Sequence, residues 1–113
     1  MHELAVTQGI LRIAEREARA RGSARINVIK LRLGAFTGFV KEAIEFSFDA
    51  IKQGTLAEEA RLEIEIVGLR KKCRTCGTEA LDGSGCSFLC PRCRGPVEII
   101  SGREMQVEYV DLA

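Results

Sequence analysis

Apolar residues recur along this chain with two periods, and the switches between them mark its elements. From Leu4 to Arg21, Val6, Ile10, Ile13, Ala14 and Ala18 return at spacings of three and four. That stripe predicts an amphipathic helix, with Arg12, Glu15, Arg16 and Arg19 mostly on its other faces. Gly22 supplies its C-terminal stop. Gly9 lies inside this helix at a cost of about 1 kcal/mol relative to Ala, to be explained by close packing or by a break near the N-terminus. From Arg25 to Leu33 the period changes to two. Ile29, Leu31 and Leu33 share one face and Lys30 and Arg32 the other, with Ile26 and Val28 on the lysine side. After a loop with two glycines, Gly34 to Gly38, helical spacing returns from Val40 to Gln53, with Val40, Ile44, Phe48 and Ile51 as its stripe and Gly54 as its end. Arg61 to Leu69 alternates again, Leu62, Ile64 and Ile66 against Glu63 and Glu65. Val97 to Ile100 reads as a short strand. Glu104 to Leu112 reads as the last one, with Met105, Val107 and Tyr109 on one face.

These elements predict an α+β fold, with two helices packed on one face of a three-stranded mixed sheet. The strand–helix–strand unit favours a parallel pair, to which the last strand adds antiparallel. If the two early strands are neighbours, Glu63 and Glu65 share their outer face with Lys30 and Arg32, and ion pairs help set the register. Residues 71–96 break the pattern. Their centre, Asp82-Gly83-Ser84-Gly85, is rich in turn residues and poor in core residues. The chain therefore divides into an α/β domain of residues 1–70 and 97–113 and an inserted lobe of residues 71–96.

The lobe carries Cys73-Arg74-Thr75-Cys76 and Cys90-Pro91-Arg92-Cys93, thirteen residues apart. Two Cys-x-x-Cys pairs at such a separation are a strong zinc signal. Each tight turn presents two thiolates, and two turns facing each other supply the corners of a tetrahedron. Four cysteines fill every position, so the metal has no site for a substrate or an activated water. The expected role of Cys73, Cys76, Cys90 and Cys93 is a structural Zn(II) site that supplies the stability a core this small lacks. Cys86 stands outside both turns. It reads as an inert small residue, or alternatively as a ligand that enters during metal exchange.

Composition narrows the picture. The chain has 113 residues, 46% hydrophobic and 29% charged, with five cysteines and no tryptophan. Apolar runs are too short for a membrane span, and the N-terminus lacks the features of a secretory signal. A reducing, cytoplasmic setting is expected. The net charge of +1 is uneven: Arg70, Lys71, Lys72, Arg74, Arg92 and Arg94 face only Glu79 and Asp82 within residues 70–94. A zinc ion with four thiolates is itself a dianion, so these cations have a local use. A zinc-ribbon adaptor binding nucleic acid or protein is the alternative reading. Against nucleic acid, Phe88 is the one aromatic residue in the lobe, which leaves bases little to stack on.

No catalytic constellation emerges. The chain has one histidine, His2, so no Ser–His–Asp set can form away from the terminus, and no phosphate-binding loop is present. His2 alone reads as a frayed terminal residue. A specific alternative exists. A large second residue should leave Met1 in place, so a free α-amine precedes the imidazole by one residue. Amine, amide nitrogens and imidazole then close chelate rings around one ion, a donor set that favours square-planar Ni(II) or Cu(II).

Together, Met1-His2-Glu3, the Gly34 strand end, the two cysteine pairs and the closing Gly102-Arg103-Glu104-Met105 resemble the HypA family, of which HybF is a close relative. The resemblance covers the whole chain, and the Met-His-Glu start is its specific element. It implies a metallochaperone without catalytic turnover that inserts nickel during [NiFe]-hydrogenase maturation. It implies Ni(II) as cargo at the extreme N-terminus, held by the His2 side chain and by backbone nitrogens that include the Met1 amine and the Glu3 amide. It places zinc on Cys73, Cys76, Cys90 and Cys93. It also implies work with the GTPase HypB and delivery to the hydrogenase large-subunit precursor, with some members serving urease maturation. No nucleic acid or membrane is involved in this expectation, and the chain is expected as a monomer or weak homodimer.

Overall fold

The computed structural model describes residues 2–81, 89–90 and 92–113, with the side chains of His2, Ala80 and Leu81 left aside. Its elements are α1 (His2–Ala20), β1 (Ile26–Gly34), α2 (Lys41–Ile51), β2 (Arg61–Val67), β3 (Arg70–Cys73), β4 (Glu79–Leu81), β5 (Val97–Ser101) and β6 (Met105–Leu112). They form two three-stranded sheets, ordered β2-β1-β6 and β4-β3-β5. In the first sheet β2 runs parallel to β1 and β6 antiparallel, as the alternation and connection lengths predict. Both helices pack on one face of this sheet. Their buried residues Ile10, Leu11, Ala14, Ala18, Ile44 and Phe48 meet Ile26, Ile29, Leu31 and Leu33 of the central strand.

The outer face follows the predicted charge pattern. Lys30 lies opposite Glu63 and Arg32 opposite Glu65. Glu65 takes both cations, Lys30 at 3.9 Å and Arg32 at 3.8 Å, and Arg32 also reaches Glu108 at 3.7 Å. Such half-exposed pairs contribute little each, and register is their main effect.

Several details depart from the periodicity, each for a physical reason. On α1, Ile13 is 49% exposed, whereas Leu11 and Thr7 are buried. The buried stripe is rotated from the predicted one, and Thr7 joins it because its hydroxyl donates to the Glu3 carbonyl one turn back. Gly9 neither breaks the helix nor meets a neighbour, since a β-carbon there would have nothing within 4 Å. On α2, Val40 is the N-cap and 52% exposed. That helix stops at Ile51, before Gly54, with the Lys52 N–H closing on the Phe48 carbonyl. In β1 an irregularity between Ile26 and Val28 turns Ile26 into the core. In β6, Lys30 pairs with Tyr109 but Leu31 with Val107, so Glu108 is an extra residue. Beyond this bulge the alternation is reset, and Val110 and Leu112 join Met105 and Val107 against the core while Tyr109 stays 48% exposed.

The second sheet is not visible in the periodicity. The predicted strand Arg61–Leu69 is interrupted at Gly68-Leu69, and β3 then starts the new sheet. The predicted strand from Val97 pairs with β3, Cys73 lying opposite Val97. Sheet membership therefore joins Val97–Ser101 to the cysteine-bearing lobe, whereas the sequence pattern groups residues 97–113 with the α/β domain.

Both crossings between the sheets pass the end of β1. The Gly34 N–H donates to Glu104 O at 2.7 Å, Phe36 N–H to Gly102 O at 2.7 Å and Ala35 N–H to Val67 O at 2.8 Å. Ser101 Oγ donates to Gly68 O at 2.9 Å. The Glu104 carboxylate accepts the Gly102 N–H at 2.7 Å, which, with the Glu104 and Arg103 N–H groups and the nearby Arg32, holds its carboxyl below the usual range. A β-carbon on residue 34 would lie 2.1 Å from the Gly102 oxygen, so only glycine permits this approach.

The two glycines should respond oppositely to one methyl group. Gly34→Ala is expected to lose about 1–3 kcal/mol, since backbone atoms must move to admit it. Gly9→Ala is expected to gain about 0.5–1 kcal/mol, the helix preference of Ala in open space. Urea unfolding of both variants checks the signs.

Candidate metal centre

The two cysteine turns are built alike. In the first, Thr75 and Cys76 N–H groups point at Cys73 Sγ at 3.3 and 3.4 Å. The Gly77 N–H then donates to the Cys73 carbonyl at 3.1 Å. In the second, the Arg92 N–H points at Cys90 Sγ at 3.4 Å, and Arg94 N–H donates to the Cys90 carbonyl at 2.8 Å. Gly77 and Arg94 hold equivalent places after the second cysteine of each pair, and both have positive φ, 75° and 61°. The first turn meets this left-handed requirement with glycine. The second meets it with an arginine, which carries a steric penalty at its β-carbon.

Local pairing brings the turns together. β3 delivers Cys73, β5 packs beside it, and the Leu89–Pro96 bridge closes the second turn, in which Cys90 N–H donates to Gly95 O at 2.8 Å. The four Sγ atoms converge, all within 4.8 Å of one another. Cys73 and Cys93 are 3.4 Å apart and Cys76 and Cys90 3.7 Å. A tetrahedral ion with metal–sulfur bonds of about 2.3 Å needs sulfur–sulfur edges of about 3.8 Å, so the donor set fits zinc. Cys73 and Cys90 are buried, and Cys76 and Cys93 lie on the exposed side.

The protonation pattern shows what a cation would relieve. The Thr78 hydroxyl, 3.0 Å from Cys76 Sγ, and the Thr78 N–H pull the Cys76 thiol down to about 6. The Gly95 N–H favours the Cys93 thiolate, but Cys73, burial, Cys76 and Cys90 together outweigh it and push that thiol up to about 12. Cys73, through the N–H groups of Cys76 and Thr75, is lowered as well, so the sulfurs of one cluster are pulled in opposite directions by their shared hydrogen bonds and burial. A divalent ion at the centre removes that conflict, and coordinating thiols lose their protons outright.

Two of the lobe's cations have acidic partners close by. Arg70 pairs with Glu79, and Arg74 Nε lies 3.4 Å from Glu98. Two of the six basic side chains that define the basic segment are thus used internally, which weakens the nucleic-acid reading.

At the other predicted site, Met1 lies outside the described residues and His2 is described as backbone only, the first residue of α1. Glu3 sits in the first turn of that helix. The helix reaches two residues further toward the terminus than the apolar stripe predicts. Cys86 also lies outside the described residues. Among the described residues, no second cluster of three or more potential metal ligands accompanies the cysteines.

Comparison with known proteins decides the family. A family model described as hydrogenase/urease nickel incorporation, metallochaperone, HypA, matches residues 1–112. The chain belongs to the HypA family. It is 44% identical to the hydrogenase maturation factor HypA of Moorella thermoacetica, over 98% of each chain. It is 41% identical to that of Roseiflexus sp., over 98% of this chain and 94% of that one. The fold agrees with the solution structure of the nickel metallochaperone HypA from Helicobacter pylori, with a TM-score of 0.71 at 19% identity over 97% of this chain and 96% of that one. A second HypA solution structure gives a TM-score of 0.77, also at 19% identity, over 100% of this chain and 97% of that one. As a HypA-family chain it has a helix–sheet body, a four-cysteine lobe and, among the described residues, no helix long and apolar enough to cross a membrane.

The paired turns make a conformational prediction. Gly77→Ala forces a β-carbon into the left-handed region and should weaken zinc binding by about 1 kcal/mol, roughly fivefold in affinity. Arg94→Gly should move it the other way. Competition with a chromophoric chelator measures both.

Proposed function

We propose that this chain carries Ni(II) on its N-terminus and releases it to the hydrogenase maturation machinery, with zinc holding the cysteine lobe. The observation that carries this reading is the Met-His-Glu start of a HypA-family chain in which His2 and Glu3 belong to the first turn of α1. The proposed nickel ligands are the Met1 amine, the His2 imidazole and amide, and the Glu3 amide. The proposed zinc ligands are Cys73, Cys76, Cys90 and Cys93.

The local physics supports it. N–H groups in the first turn of a helix have no carbonyl one turn before them, so a metal there competes with no intrahelical hydrogen bond. The helix dipole favours negative charge at the same end, which eases loss of amide protons to the metal. Planar coordination by amide nitrogens selects nickel or copper over zinc. An ion held at the terminus stays open on its axial faces, so a recipient's ligands can displace the chain's nitrogens stepwise. Proton loss on binding also makes affinity fall as pH drops.

The site's position fits a delivery role. Residues Ser23, Arg25 and Ala113 tie the end of α1 to the start of β1 and the end of β6. The 19-residue α1 spans roughly 28 Å and the nine-residue β1 roughly 30 Å. The two elements, joined at one end, are therefore nearly equal in length. In this reading the α/β body, with α1, does the nickel work, and the cysteine lobe of residues 71–96 is the zinc unit. The proposed partners are the GTPase HypB and the [NiFe]-hydrogenase large-subunit precursor, with urease maturation proteins as further recipients, in the cytoplasm.

Nickel titration tests the reading. His2→Ala, and separately a chain extended by residues before Met1, are each expected to weaken nickel binding at least about tenfold, while zinc content stays unchanged. Wild-type affinity in both would refute an N-terminal site.

A further inference from the structure

Along α1 the buried stripe runs Thr7, Leu11, Ala14 and Ala18, with Ile10 beside it. Thr7 is as fully buried as Ala14 and Ala18, at 0% exposure, and among the described residues it is the one polar side chain buried on this helix. Packing alone does not ask for it. Valine has the same branched shape and would bury a methyl where Thr7 buries a hydroxyl, with no polar atom to satisfy. The hydroxyl is a departure from the apolar pattern that the core itself leaves unexplained.

What the hydroxyl does is local. It donates to the Glu3 carbonyl at 2.5 Å, at the short end for an O–H···O bond. In an α-helix the Thr7 N–H is directed at that same carbonyl. Glu3 O thus receives two donors from one residue, a turn away and rooted in the core. The surrounding turn has little else to hold it. Leu4 and Ala5 are exposed, and the end of a helix is where fraying begins.

This placement bears on the N-terminal nickel site proposed above, on which the inference rests. An ion bound by the amides of both His2 and Glu3 closes a five-membered ring through the His2 Cα and carbonyl carbon. A flat ring of that kind requires a His2 ψ of about 0°, against about −42° in an α-helix. The terminus therefore has to swing onto the ion, while Glu3 keeps the helical geometry that aims its N–H out of the helix end. One nitrogen must move and the other must stay.

We infer that Thr7 is a positioning residue of the nickel site: its hydroxyl fixes Glu3 as the last anchored residue of the helix. The Glu3 nitrogen is then already in place when the terminus folds over the ion. Thr7 itself bonds to the Glu3 oxygen and to none of the proposed ligand atoms. It acts by raising the fraction of chains whose first turn is ordered, and apparent affinity scales with that fraction. A valine at position 7 keeps the backbone N–H and the packing and loses the second donor.

Nickel titration of the zinc-loaded full chain against a chromophoric chelator tests this, with Thr7→Val, Thr7→Ser and His2→Ala beside the wild type. Thr7→Val should weaken nickel binding about three- to tenfold, the range of one net hydrogen bond. Its zinc content should be unchanged and its urea stability equal or higher, because a buried hydroxyl has become a methyl. Amide hydrogen exchange in its nickel-free form should quicken at positions 6 and 7 and match the wild type from Leu11 onward. Thr7→Ser keeps the hydroxyl and gives up a buried methyl, so it should lose urea stability yet bind nickel within about twofold of the wild type. Stability and nickel affinity then move independently in the two variants, which a role in packing alone cannot produce. Wild-type nickel affinity in Thr7→Val, with binding still lost in His2→Ala, overturns the role of Thr7 and leaves the N-terminal site standing. Nickel affinity that follows urea stability across the two Thr7 variants overturns it as well. Nickel retained by His2→Ala removes the N-terminal site, and this inference with it.

Discussion

The close approach of Gly34 to Gly102 is the constraint on which the arrangement of this molecule rests. At that point the central strand of the body ends and both chain crossings to the cysteine lobe pass. The Gly102 oxygen occupies the space a side chain on residue 34 would need, 2.1 Å from its β-carbon position. Donors from Gly34, Ala35 and Phe36 reach across to Glu104, Val67 and Gly102. These are backbone groups, so the connection is short and directional. Each bond lost there leaves a donor or acceptor without its partner, at a cost of about 1–3 kcal/mol.

From that junction the two halves stabilise themselves differently. The body buries apolar faces of two helices against one strand, the ordinary means by which a helix–sheet layer holds together. The lobe has strands of three to five residues and little to bury. Four converging sulfurs take the place of a core there, and their mutual repulsion as thiolates makes a divalent ion the natural centre. A closed four-sulfur site holds its ion, whereas a terminal chelate of amine, amides and imidazole can let its ion go. In the proposed function, the division between resident and transferable metal would follow from that difference in donor sets.

Much of this is legible in the residues, and the failures have local causes. The body can be read because its helices and strands carry clean periods, and Lys30 and Arg32 against Glu65 follow from alternation alone. Periodicity misplaces Tyr109 because a bulge at Glu108 resets which face each later residue takes, and a bulge is a property of pairing rather than of one strand. It misplaces Ile13 because Thr7, a polar residue, takes a core position once its hydroxyl is satisfied by Glu3. The second sheet escapes it because β3 and β4 are too short to show a period, and Val97–Ser101 gives no sign of its partner. The cysteine cluster is legible because two Cys-x-x-Cys turns leave few arrangements open. The left-handed conformation of Arg94 is not, although its equivalence to Gly77 in the first turn is a signal that could have found it. The nickel end rests on the Met-His-Glu start and on family membership, since Met1 and the His2 side chain lie outside the described structure.

The most direct measurement is the metal content and visible absorption of the purified protein loaded with both metals. The account predicts one zinc that persists in His2→Ala and one nickel with the weak absorption band of a square-planar ion, lost in His2→Ala. Nickel that keeps that band without His2, or that binds only when the cysteines are free of zinc, would contradict it.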